Sequence, residues 1–213
     1  MTVSKKEIII TGGAGFIGFH LAKSLVNLNY KVIIWDDLSR GRLDNEFKQL
    51  LKNKNINFLK INLKNKININ KLNISHIFHL AGSVGVENIN KNPFSSFLNN
   101  ISSLVNVINF AKNQRKTIKL ILFSTSEVYS NLIKNNLIKF PIKEGNSILV
   151  ENQIIDRDSY FLSKLFNEKI TQLSKLNHLI LRPHNIYGPR MGFSHVIPEL
   201  IKKFFETKNK KVS

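Results

Sequence analysis

Tyr160 and Lys164 stand four residues apart in a segment of helical period, so their side chains share one face, one turn apart. A free tyrosine titrates near ~10 and is a poor base at neutral pH, but an ammonium beside it, together with the positive ring of an oxidised dinucleotide, favours the phenolate. Such a phenolate removes a proton from a substrate hydroxyl while a hydride leaves the same carbon. Alone, the Tyr-x-x-x-Lys spacing is common on amphipathic helices, where the ring caps the core and the amine is solvated. Here it follows Ser124-Thr125-Ser126-Glu127-Val128-Tyr129, hydroxyls and a carboxylate delivered by the apolar run 120–123. Hydroxyls at a strand end bind a reacting oxygen and share its proton with Tyr160.

A second constellation lies near the start of the chain. Gly12, Gly15 and Gly18 follow the apolar run 7–10 and open a helical segment at Phe16 and Ile17. Gly12 permits a tight turn, Gly15 lets backbone approach a pyrophosphate, and Gly18 lets helix and strand pack closely. The phosphates then meet free N–H groups and the positive end of the helix dipole. Asp36 ends the next apolar run, where a ribose-binding acid belongs. A carboxylate there accepts both ribose hydroxyls and repels a 2′-phosphate, so the cofactor expected is NAD rather than NADP. Arg40 and Arg42 are the residues that would accommodate a 2′-phosphate, and Asp36 outweighs them.

These residues need a scaffold that brings strand ends together. Short apolar runs at 7–10, 32–35, 56–61, 76–80, 120–123 and 179–181 alternate with helical segments at 16–28, 94–112 and 160–176. In 94–112, Phe97, Ile101, Leu104, Val105 and Ile108 recur at intervals that make one apolar stripe. The alternation predicts an α/β fold, a doubly wound parallel sheet of the Rossmann kind. The stretch 52–73, rich in Ile, Asn and Lys, fits a strand, a frayed helix or a loop equally.

With 213 residues, 42% hydrophobic, the chain is long enough to bury a core and too apolar to be disordered. It has no cysteine and its six histidines lack ligand-like spacing, which predicts no metal site and fits a reducing cytoplasm. The three-residue apolar run before Thr11 is too short for a signal peptide, and no stretch approaches the roughly 20 apolar residues of a membrane helix, so no membrane partner is expected. The net charge of +18 is spread along the whole chain beside asparagine and isoleucine, as compositional drift would spread it; no nucleic-acid partner is expected.

Taken in order, the motifs resemble the extended short-chain dehydrogenase/reductases, specifically the NAD-dependent epimerase/dehydratase group that modifies nucleotide sugars. Thr11 to Gly18 is similar to that family's glycine turn, and Asp36-Asp37-Leu38-Ser39-Arg40-Gly41 to its segment around the adenosine ribose. Asn62-Leu63 stands where the family has an aspartate near the adenine amino group, and the amide oxygen of Asn62 still accepts that bond. His79-Leu80-Ala81-Gly82 resembles its strand end beside the cofactor, and Asn100 matches a helix asparagine near the active site. Ser124 to Tyr129 and Tyr160 to Lys164 resemble the catalytic segments. Arg182-Pro183-His184-Asn185-Ile186-Tyr187-Gly188-Pro189-Arg190 resembles the segment at the nicotinamide and the substrate diphosphate. His79 and His184 are read as structural. Ser130 replaces a usual glycine and is read as a turn adjustment.

The resemblance implies that Thr125 or Ser126 binds the sugar C4 oxygen, Tyr160 is the base, Lys164 lowers its pKa and holds the nicotinamide ribose, and Asn185 contacts the substrate diphosphate. It also implies a possible homodimer. Glu127 suits a proton at C5 after oxidation at C4, as in dehydratases and UDP-glucuronate decarboxylases, whereas Arg182 to Arg190 with Met191-Gly192-Phe193 is more like epimerases; the two signals disagree. A catalytically silent module that binds NAD or nucleotide sugar is the further alternative. Family members run well past 300 residues, so 1–190 is read as the NAD-binding domain and 191–213 as the start of an incomplete substrate-binding region.

Overall fold

The apolar runs do become strands, and their pairing creates the crevice. The computed structural model describes residues 7–83, 89, 91–114, 117–192 and 195–206. Strands β1 (Glu7–Thr11), β2 (Lys31–Asp36), β3 (Ile56–Lys60), β4 (Ile74–His79), β5 (Lys119–Phe123) and β6 (Asn177–Leu181) pair in parallel in the order β3-β2-β1-β4-β5-β6. The order reverses between β1 and β4, and a ligand crevice opens at the carboxyl ends of such a switch point.

The helices are α1 (Phe16–Asn27), α2 (Asn45–Leu51), α3 (Pro93–Lys112), α4 (Ser130–Lys134), α5 (Asp158–Leu173) and α6 (Val196–Glu206), with a 3₁₀ turn at Ser126–Tyr129. Because successive strand residues point to opposite faces, each strand feeds two cores. Ile9, Ile33 and Trp35 join Leu104, Val107 and Phe110 of α3 on one face; Ile10, Val32 and Ile34 join Phe19 and Ala22 of α1 and Phe47 of α2 on the other. The sheet is therefore doubly wound, as expected, and in β2 every residue from Val32 to Asp36 is buried. Trp35 meets Phe110 edge-on with centroids 4.9 Å apart; truncating so buried a ring to Ala costs about 3–5 kcal/mol.

The differences from expectation are local. The ambiguous stretch 52–73 contains β3 and then an irregular segment whose Ile61, Ile67, Ile69 and Leu72 pack on the α3-side core, which explains its recurrent isoleucines. Helix α2 carried too short a period to be read, yet Asp44 caps it by accepting the Phe47 N–H at 2.9 Å. Helix α5 ends at Leu173 rather than 176, since Lys175 adopts a left-handed φ of 58° while Leu176 still reaches the core. Ser130 is no turn adjustment: at φ −56°, ψ −43° it begins α4, where glycine has no advantage. Phe193 and residues 207–213 lie outside the described residues. Among the described residues no helix is long and apolar enough to cross a membrane, and no cluster of His, Asp and Glu has metal-site geometry.

Candidate active site

The crevice has a backbone-built end at β1 and β2. Gly12 sits at φ +69°, and a Cβ on it would fall 2.8 Å from the Ala81 nitrogen. A Cβ on Gly18 would collide with the Gly12 carbonyl oxygen. Both positions therefore require glycine. Gly15 is the N-cap of α1, with no side-chain cap and no acid in the first turn, so the N–H groups at Phe16 and Ile17 open onto the crevice. That donor set, at the positive end of a helix, suits a pyrophosphate.

Asp36, 8% exposed, accepts the Ala14 N–H at 3.0 Å and the Leu38 N–H at 2.8 Å. Burial pushes its carboxyl up, and those two bonds oppose the shift. Ionised, the carboxylate keeps acceptor capacity for ribose hydroxyls. Asp37 accepts the Ser39 N–H at 2.9 Å, and Leu38 holds a left-handed φ of 62°. On the other flank the Leu80 N–H donates to the Thr11 carbonyl and the Ala81 N–H to the Thr11 hydroxyl, both at 3.2 Å. Asn62 is exposed and its side-chain oxygen accepts the Lys64 N–H at 3.0 Å, whereas Leu63 is buried in the core. Neither side chain is brought against the glycine turn.

The other end is built from side chains of α5 laid against the exit of β5. Tyr160, Lys164 and Glu168 occupy successive turns of one helix face. Thr125 and Glu127 both act on the Tyr160 phenol. Lys164, 5% exposed, donates to the Phe123 carbonyl at 2.8 Å, and Glu168, 1% exposed, accepts from the Ser124 hydroxyl at 2.6 Å. Two consecutive residues of β5 and its exit are thus bonded to two successive turns of α5. Thr125 also accepts the Glu127 N–H at 3.2 Å, and the Ser126 N–H donates to the Pro183 carbonyl at 3.1 Å. Asn185 is exposed two residues beyond. Gly82 lies beside this group, where a Cβ would sit 3.7 Å from the Lys164 nitrogen. Asn100 bonds Ser83 and Ser163, joining the β4 exit to α5.

The expected phenolate rests on the cofactor's positive charge as well as on the ammonium, and without that charge the phenol is not depressed. Tyr160 is pushed up to about 12, by burial first and then by the Glu127 carboxylate, with the Thr125 hydroxyl and the Arg40 charge acting the other way. The Lys164 ammonium turns to Phe123 and sits 5.9 Å from the Tyr160 ring centroid. Burial lowers Lys164 to about 8. By itself the chain therefore holds a protonated phenol. Arg40, weighed above as a 2′-phosphate partner, acts on Tyr160 from the far side of the crevice. His79 is structural, as read: it is buried, bonded to Thr11 at 2.9 Å, and kept neutral by burial, which lowers it to about 3.

Glu168 carries no motif and was missed in the sequence. It accepts two bonds from Arg182, at 2.9 and 2.6 Å, besides that from Ser124, and Arg182 in turn binds the Tyr129 hydroxyl and the Glu144 carbonyl. This pair, Glu168 buried and Arg182 half-buried, braces the exits of β5 and β6 together. Its only signal was a glutamate one turn beyond Lys164.

Comparison with known proteins agrees with the geometry. The profile of the NAD dependent epimerase/dehydratase family matches residues 8–213. A UDP-N-acetyl-alpha-D-glucosaminuronate decarboxylase of Bacillus cytotoxicus is 32% identical over 206 residues, 93% of this chain and 61% of that protein. A dTDP-D-glucose 4,6-dehydratase of Dictyostelium discoideum is 34% identical over 220 residues, 95% of this chain and 49% of that protein. A crystal structure of UDP-galactose 4-epimerase superposes with a TM-score of 0.75 at 27% identity, over 95% of this chain and 64% of its own. The chain thus spans less than two thirds of each.

Proposed function

The chain belongs to the NAD dependent epimerase/dehydratase family, and from that premise we propose that it oxidises a nucleotide-diphosphate sugar transiently at C4, as an epimerase or dehydratase. The observation that carries this reading is the convergence of Thr125, Glu127 and Tyr160 above Lys164 at the carboxyl edge of the sheet. NAD, when bound, supplies the hydride acceptor. Gly12, Gly15 and Gly18 would seat its pyrophosphate, Asp36 to Ser39 its adenosine ribose, and Leu80 to Gly82, Pro183 and Lys164 its other end. Thr125, with Ser126 beside it, orients the sugar hydroxyl, and Tyr160 takes its proton. Because burial holds Tyr160 as a phenol, the base form depends on positive charge brought beside the ring, from the cofactor and from Lys164. Asn185 faces solvent where the substrate diphosphate would lie.

Decarboxylation of a UDP-glucuronate-like sugar is the second reading, favoured by Glu127 beside Tyr160 and by the Bacillus relative. We place 1–190 in the NAD-binding domain and 191–213 at the start of a substrate-binding region, because α6 buries none of its residues and exposes Val196, Leu200 and Phe204. A homodimer is supported by exposed Phe94, Leu98, Phe166 and Leu173 on the adjacent helices α3 and α5. A cytoplasmic location fits the absence of cysteine.

NAD-loaded protein incubated with UDP-, dTDP- and GDP-sugars, including a uronate, is expected to yield an epimer, a 4-keto-6-deoxy sugar or a pentose by NMR. Tyr160→Phe should slow that product by about 10²–10⁴-fold while still binding NADH. NADH binding with no product from any sugar supports the silent binding module instead.

A further inference from the structure

We propose that Arg190 is a positioning residue for the dinucleotide, clasping the two loops that flank the crevice so that bound cofactor is retained; this rests on the NAD reading above. The loops leave β2 and β6, which β1, β4 and β5 separate, a span of roughly 19 Å at ~4.8 Å per strand. Both nevertheless bend to α1 and meet there.

The first loop, 37–44, lies tightly on the glycine turn. The Arg42 N–H donates to the Ala14 carbonyl at 3.3 Å, and a Cβ on Gly41 would fall 2.6 Å from the Ala14 Cβ. The second loop is tied to the other side of α1, with the Pro189 carbonyl 2.9 Å from the His20 ring nitrogen and Gly188 against the Phe16 ring. Arg190 then closes the ring of chain. One guanidinium nitrogen lies 2.6 Å from each Asp44 oxygen and 3.3 Å from Glu46, while the guanidinium stacks 4.0 Å over the Phe19 ring. Its side chain is 5% exposed, against 37% for Asp44.

Leu38 and Arg190, one in each loop, both hold left-handed backbone, at φ 62° and 69°. L side chains take that conformation only where surrounding contacts impose it, and such strain gathers at ligand sites. The clasp joins the segment that carries Asp37, Leu38 and Ser39 to the one that carries Pro183 and Asn185, so the two ends of the cofactor site open together.

The test is release of NADH, followed by fluorescence after dilution into excess NAD. Arg190→Gln and the double variant Asp44→Asn/Glu46→Gln are expected to release it at least ~10-fold faster; Asn caps α2 as well as Asp does, so the double variant keeps its fold. Arg190→Lys, which can place one nitrogen between the same oxygens but cannot stack flat on Phe19, should release NADH at a rate between those of the parent and Arg190→Gln. Release at the parent rate by folded Arg190→Gln and by the double variant overturns the clasp and leaves a purely structural ion pair. Trypsin cleavage after Arg40 and Arg42 in cofactor-free protein, expected to be faster in Arg190→Gln, decides the matter separately: should the parent not bind NADH, the cofactor reading fails, and unchanged cleavage overturns the clasp.

Discussion

At the β1 end of the crevice the chain presents backbone: Gly12 and Gly18 leave room for main chain to approach main chain, and the ligand-facing groups are N–H donors of α1. At the α5 end it presents side chains, Tyr160, Lys164 and Glu168, of which Lys164 and Glu168 are held by bonds to Phe123 and Ser124 while Tyr160 sits beside Thr125 and Glu127. The first end is specified by residues adjacent in sequence and tolerates no added atom. The second is specified by pairings across more than thirty residues and tolerates loss of an atom at a cost in charge balance. The difference teaches that binding and chemistry fail separately in this fold.

The largest expected effect comes from adding atoms at the backbone end. Gly18→Val sets a side chain against the Gly12 carbonyl and the Gly13 Cα, and overpacking of this kind costs about 1–3 kcal/mol; borne by the cofactor-binding turn, that cost should lower NADH affinity by titration calorimetry by about 5- to 150-fold. An unaltered affinity would break the comparison. Removing a charge at the other end should act on the fold instead. Glu168→Gln leaves Arg182, 20% exposed, without its carboxylate, which is expected to lower the unfolding free energy in urea by about 3 kcal/mol while NADH affinity stays within about threefold. A parallel loss of affinity would show that the two ends are one unit.

The smallest effect is a slope with pH. Lys164 is lowered by burial to about 8 from 10.5, so between those values the unfolded chain binds more protons than the folded one, and stability rises with pH. Lys164→Met should lose that rise, measured as the difference in melting temperature between parent and variant from pH 8 to 10.5. A parallel pair of curves would mean that Lys164 titrates normally.

How much of this was legible in the sequence follows the same division. The glycine turn and Asp36 could be read because each signal is local, and the alternation of apolar runs gave the doubly wound sheet because parallel strands are apolar on both faces. Glu168 and Arg190 could not be read: their partners lie 14 to 146 residues away in the chain, and a lone charge carries no period. The Tyr160–Lys164 pair was found by spacing, but the protonation of Tyr160 depends on burial and on Glu127, neither of which spacing reports. The stretch 52–73 resisted because its isoleucines serve a core while its backbone is largely irregular.

Asp36 ends with two occupations. The carboxylate we assign to the ribose also organises the turn, through the N–H groups of Ala14 and Leu38. An exchange that makes room for a 2′-phosphate strips both donors of their acceptor inside a buried turn, where each loss costs about 1–3 kcal/mol. Cofactor preference in this chain is accordingly inherited with the loop as a whole, and redirecting it calls for transplanting residues 36–44 together rather than retuning one acid.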